Sequence, residues 1–132
     1  MKPLRLHHVG IIMNSKERAD LFLEQFGLET DYMEYVEEYH ADCLFTKYTE
    51  QESPIELIIP TEGVLKEYNR GKGGIHHIAL EVDDVEAARA EFEGKGMEML
   101  EKVPVKGAGG ILVNFLRPRY GLGVLVEFVQ RI

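Results

Sequence analysis

Apolar residues recur along the chain with two spacings. Leu6-His7-His8-Val9-Gly10-Ile11-Ile12-Met13 and Ile75-His76-His77-Ile78-Ala79-Leu80 read as strands. After each strand the spacing becomes helical, with Ala19, Phe22, Leu23 and Phe26 in one stretch and Val85, Ala88 and Phe92 in the other. Asn14 and Asp83 are the expected N-caps, with Glu17 and Glu86 three residues on, and Gly27 and Gly96 are the expected stops. Extended segments are expected at 31 to 36, 41 to 48, 54 to 59, 97 to 101, 110 to 117 and 123 to 129. A short helix over 62 to 70 should lead into Gly71-Lys72-Gly73-Gly74, which reads as a flexible linker.

The two series are one pattern repeated. A shift of 69 positions lays His7–Glu29 on His76–Glu98 without a gap, with 7 of 23 residues identical where chance gives one or two. Each copy reads β-α-β-β-β, so the fold class expected is α+β, built from two tandem modules. The 132 residues are too few for two independent cores, which leads to one domain at 1–132: module 1 at about 4–60, a linker at about 61–74 and module 2 at about 75–130.

Strand alternation divides the histidines. His7 and His76 share a face with bulky aliphatics suited to packing under a helix, whereas His8 and His77 share theirs with Gly10 and Ala79, which leave room on an open face. Late in each copy one carboxylate interrupts an apolar strand: Glu56 in P-I-E-L-I-I-P and Glu127 in V-L-V-E-F-V-Q. An ionised carboxylate among aliphatics is costly unless paired or bound to metal. Taken singly, each residue reads as a core histidine or an edge-strand acid. The matched intervals, 48 residues from His8 to Glu56 and 50 from His77 to Glu127, turn the balance toward a divalent-cation site. In the strand beginning at Ala41, pairing Phe45 with Phe115 and placing Phe45 beneath the helix leaves Asp42 on the open face, a possible base. His40, without a repeat partner, is expected at the surface.

Composition narrows the function classes. With 45% hydrophobic and 29% charged residues the chain is a folded domain, and its net charge of −8 disfavours nucleic-acid binding. Lys102 to Val126 departs from that average. It carries Lys102, Lys106, Arg117 and Arg119 and no acid, against eleven basic and twenty-three acidic residues elsewhere, and so suits an anionic ligand. No apolar stretch is long enough for a membrane helix or signal peptide, and the lone Cys43 cannot form an internal disulfide; the expected compartment is the cytoplasm, with no membrane partner.

The paired modules, each with a His and a Glu, resemble the vicinal oxygen chelate superfamily over nearly the whole chain. Within it, G-G-I-H-H-I-A-L-E-V-D-D (73 to 84), K-G-A-G-G (106 to 110), N-F-L-R-P (114 to 118) and G-V-L-V-E-F (123 to 128) are most similar to methylmalonyl-CoA epimerases. P-I-E-L and V-K-G suit glyoxalase I enzymes equally. The resemblance implies a curved mixed sheet with helices on its outer face, and one divalent ion per site (Co, Ni, Zn, Mn or Fe) held by His8, Glu56, His77 and Glu127. It also implies a homodimer and a small anionic thioester substrate enolised by the enzyme. Apart from the resemblance, Glu127 or Glu56 could serve as acid or base by leaving the metal, and Asp42 is the free carboxylate that strand parity offers for that role. A glyoxalase I-like lyase is the alternative, and a metal-free binding or resistance protein is the reading outside catalysis.

Overall fold

The computed structural model describes residues 1–132. Its elements in chain order are β1 (Arg5–Ile12), α1 (Lys16–Phe26), β2 (Thr30–Val36), β3 (Ala41–Thr46), β4 (Ile55–Pro60), β5 (Gly74–Glu81), α2 (Val85–Gly94), β6 (Val105–Gly107), β7 (Ile111–Leu116) and β8 (Val126–Arg131). Two 3₁₀ segments, Glu37–Tyr39 and Val64–Gly71, lie between β2 and β3 and between β4 and β5. The strands follow the order β2-β3-β4-β1-β5-β8-β7-β6 in a mixed sheet, the α+β architecture of two β-α-β-β-β modules. The chain divides into two compact units, Val9–His76 and Met1–His8 with His77–Ile132, so the boundary falls inside β1 and β5.

In the unit Val9–His76, β1 runs parallel to β4, β4 antiparallel to β3, and β3 antiparallel to β2. Ser15 starts α1, its Oγ accepting the Arg18 N–H at 3.1 Å, and Gly27 ends it in the left-handed region at φ 66°. The helix lays Ala19 and Leu23 on Leu44, Leu57 and Ile59, flanked by Ile11, Met13 and Phe22. In the other unit, β5 runs parallel to β8, which pairs antiparallel with β7, and β7 with β6. The Leu4 N–H donates to the Glu81 carbonyl at 2.8 Å, holding the start of β1 beside β5. Asp84 caps α2 by accepting from the Glu86 and Ala87 N–H groups, and a cluster of Val82, Val85, Met99, Leu116 and Phe128 fills the space beneath.

Four sequence expectations shift. Both helices start one residue later than expected, because Ser15 and Asp84 cap in place of Asn14 and Asp83, and Glu17 and Glu86 fall at the second helical position, where no reciprocal box forms. The segment 97 to 101 makes only a bridge from Met99 to Leu116. It is pinned to β7 by Asn114, whose Oδ1 accepts the Glu101 N–H at 2.9 Å and whose Nδ2 donates to the Glu101 carbonyl at 2.8 Å; the strand pairing with β7 comes later, at Val105–Gly107. Residues 71 to 74 join the end of the second 3₁₀ segment to the start of β5 through a turn at Lys72 in place of a flexible linker: Asn69 Nδ2 donates to the Gly73 carbonyl at 2.8 Å, and a Cβ on Gly73 would meet the Ile12 carbonyl oxygen at 2.3 Å.

The fourth shift reverses the faces of β3. Leu44, not Phe45, packs beneath α1, while Phe45 stacks on Tyr32 at 5.2 Å and lies opposite Glu56. Asp42 shares the helix-side face with Leu44, lying opposite Ile59 in register, and is therefore off the face that carries Glu56. The repeat correspondence of Phe45 with Phe115 holds, since each sits opposite its module's carboxylate, but both phenylalanines face away from the helices.

Candidate metal centre

Within one unit, β1, β5 and β8 bring His8, His77 and Glu127 together. On β5 and β8 the parallel register sets Glu127 opposite Ala79, two residues beyond His77, so both side chains leave the sheet on one face. His8 Nε2 lies 3.0 Å from Glu127 Oε1, His77 Nε2 lies 3.2 Å from the same oxygen, and the two Nε2 atoms are 3.2 Å apart. His8 is 1% exposed, His77 4% and Glu127 5%, which removes bulk water as the partner of these atoms. The ring of Phe115 stands edge-on to His77 at 5.3 Å and walls the group on that side.

The electrostatics favour a bound cation. Burial pushes the Glu127 carboxyl up, but the His77 and His8 rings outweigh it and hold the group below the usual carboxylate range, so the side chain stays ionised. Oε1 is buried and neither contact with the histidines has the geometry counted as a hydrogen bond. Three donors at mutual separations of 3.0 to 3.2 Å match neighbouring ligands of a single ion with bonds of about 2.1 Å. Two imidazole nitrogens and one carboxylate oxygen suit Zn, Fe, Co, Ni or Mn, and three protein ligands leave positions open. The residues present fit a divalent ion.

His7, expected only to pack beneath a helix, is buried beside this group with its Nδ1 2.7 Å from the Nδ1 of His8. Burial, then His8 and, more weakly, Arg131 and Arg5, push its pKa down to about 4 against the pull of Glu127. The doubled His-His pair was the available signal. The other functional-looking residue that alternation did not reveal is Asn114, fully buried, and its signal was a lone amide inside the apolar run I-L-V-N-F-L.

Glu56 lies in the unit Val9–His76, buried on β4 between Gly10 and Phe45 in register. Gly10 follows His8 by two residues, as Ala79 follows His77, so Glu56 holds in its module the register position that Glu127 holds in the other. Burial, then the Glu56 charge, push the Tyr32 hydroxyl up to about 12. His40 is half-buried and ends the first 3₁₀ segment at φ 51°, with Nδ1 3.3 Å from Glu62. Lys102, Lys106, Arg117 and Arg119 are exposed, Arg119 lying 4.9 Å over the Tyr120 ring. No helix is long and apolar enough to cross a membrane.

Comparison with known proteins places the chain. Residues 7–115 match the model of the glyoxalase/bleomycin resistance protein/dioxygenase superfamily. The mitochondrial methylmalonyl-CoA epimerase of Dictyostelium discoideum is 33% identical over 134 residues, covering 96% of this chain and 78% of the relative. The ethylmalonyl-CoA/methylmalonyl-CoA epimerase of Cereibacter sphaeroides is also 33% identical, covering 96% and 97%. A variant of Streptomyces coelicolor methylmalonyl-CoA epimerase in complex with 2-nitronate-propionyl-CoA superposes with a TM-score of 0.88 at 28% identity, over 98% of this chain and 99% of that one. A methylmalonyl-CoA epimerase in complex with methylmalonyl-CoA and ammonium superposes with a TM-score of 0.87 at 28% identity, over 98% and 96%. The chain belongs to the glyoxalase/bleomycin resistance protein/dioxygenase superfamily.

Proposed function

We propose that this member of the superfamily is a divalent-metal-dependent epimerase that enolises an acyl-CoA thioester of the methylmalonyl type. The observation that carries the reading is the buried triangle of His8, His77 and Glu127, whose carboxylate oxygen has no hydrogen bond. Glu56 completes the ligand set, supported by the register it shares with Glu127. A bound ion supplies Lewis-acid polarisation of the thioester carbonyl, which lowers the cost of losing the α-proton.

The chain's own residues do the rest. His8 and His77 present Nε2 lone pairs, and Glu127, ionised by its neighbours, presents an oxygen. Epimerisation removes the α-proton from one face of the carbon and returns a proton to the other, which needs two acid–base groups. Glu127 and Glu56 serve as that pair, one from each module. Burial and the Phe115 ring keep water from the site. The exposed cations at Lys102, Lys106, Arg117 and Arg119 draw a polyanionic thioester to a chain that otherwise repels it. The protein acts in the cytoplasm as a homodimer.

The test is proton exchange. Metal-loaded protein incubated with methylmalonyl-CoA in deuterated water is expected to incorporate deuterium at the α-carbon, and removal of the metal to abolish incorporation. No incorporation, together with turnover of the glutathione hemithioacetal of methylglyoxal, would replace the epimerase reading with a glyoxalase I-like one. A chain that retains no metal would leave ligand binding alone.

A further inference from the structure

His7 is buried next to the donor triangle and has no part in the chemistry above. Its ring stands at 78° to that of His8 with centroids 5.0 Å apart, and the two Nδ1 atoms are 2.7 Å apart. Nitrogens this close share one proton, because two bare lone pairs or two N–H groups at that distance repel. The other nitrogen of His8, Nε2, belongs to the triangle with His77 and Glu127. When Nε2 offers its lone pair to an ion, the proton of a neutral imidazole sits on Nδ1. His8 is then the donor of the 2.7 Å contact and His7 the acceptor, with the proton of His7 on its own Nε2.

We propose that His7 is a positioning residue for the metal centre: its Nδ1 accepts the Nδ1–H of His8 and fixes His8 in the tautomer and orientation that leave Nε2 free for the ion. The inference rests on the metal-dependent reading of the site. A hydrogen bond to the far nitrogen of a ligating histidine raises its basicity and stops the ring turning. Here the acceptor is the preceding residue of the same strand, so forming β1 sets both rings together.

The probe is Zn²⁺, titrated into the full-length apo-protein against a chromophoric chelator. His7→Phe keeps a ring but removes the acceptor, and is expected to weaken Zn²⁺ binding roughly 10- to 100-fold. His7→Asn, which places a carbonyl oxygen near the position of Nδ1, is expected to recover most of the loss. In ¹⁵N-histidine spectra of the unaltered Zn²⁺ protein, His8 is expected to carry its proton on Nδ1, shifted downfield by the hydrogen bond.

Unchanged Zn²⁺ affinity in His7→Phe, while His8→Ala loses the ion, would overturn the role of His7 and leave the metal reading intact. Equal losses in folded His7→Phe and His7→Asn would overturn it in favour of ring packing. Zn²⁺ retained at full affinity by His8→Ala would remove the metal reading itself. Should His7→Phe fail to fold, the spectra of the native protein decide, and a His8 ring without an Nδ1 proton overturns the proposal.

Discussion

Glu127 carries the only fixed charge in the donor triangle, so its replacement separates shape from electrostatics. Glu127→Gln keeps the volume and one oxygen but offers a neutral, weaker ligand, and metal analysis after dialysis is expected to show loss of most of the ion together with the activity. Tyr32 offers a second reading at this scale. With its hydroxyl pushed up to about 12 by burial and Glu56, Tyr32 is expected to give a late step in an ultraviolet titration, and Tyr32→Phe to remove that step. A folded-state pKa above the unfolded value near 10 stabilises the fold below pH 10, and this contribution is lost as pH rises toward 12. Parity and repetition were enough to predict that His8, His77 and Glu127 come together, because a strand's alternation is fixed by its backbone. They misplaced Asp42, since a repeat reveals which residues correspond but not which face either occupies. A half-buried acid in line with Leu44 and Ile59 looks the same in sequence as one on the open side. The contact of His7 with His8 was illegible for another reason, because alternation sends adjacent side chains apart and says nothing of rings that still meet.

At the scale of elements, the order of strands and helices follows from periodicity, and the differences arise where a side chain or a turn overrides it. Asn114 does so by replacing ladder bonds with two amide hydrogen bonds to Glu101. Asn114→Ala strands a buried N–H and a carbonyl, and a loss of about 2 to 4 kcal/mol in urea unfolding is expected. Glycine positions separate just as cleanly. Gly73 has φ 75° and would drive a Cβ to 2.3 Å from the Ile12 carbonyl, whereas Gly27 has φ 66° with open space around it. Gly27→Ala is therefore expected to cost about 1 kcal/mol. Gly73→Ala adds a backbone clash and is expected to cost several times as much, with denaturation midpoints as the measurement. A Gly-rich run reads as flexible from composition, and only the carbonyl of Ile12, 61 positions away, explains why one of these glycines is needed.

For the whole molecule, an ion held at the proposed metal site would also be a cross-link. His8, His77 and Glu127 lie far apart in sequence, on β1, β5 and β8, so an ion bound to all three exists only in the folded chain, and its binding free energy adds to stability. At a free-ion concentration about 1,000 times the dissociation constant the gain is about 4 kcal/mol, and for a chain of 132 residues that corresponds to a rise in Tm of roughly 15 °C. Calorimetry of metal-loaded protein before and after a chelator is expected to show this fall. The same chelator should leave Glu127→Gln almost unmoved, because that protein holds little ion to remove. The pair of scans separates a structural cost of the substitution from a loss of metal. A Glu127→Gln protein that melts low and ignores the chelator has lost the ion, while one that melts low and still falls with the chelator holds its metal through other ligands. A chain whose Tm ignores both the chelator and added Zn²⁺ would show that the triangle binds no ion, and its buried carboxylate would then be a structural partner of the two histidines.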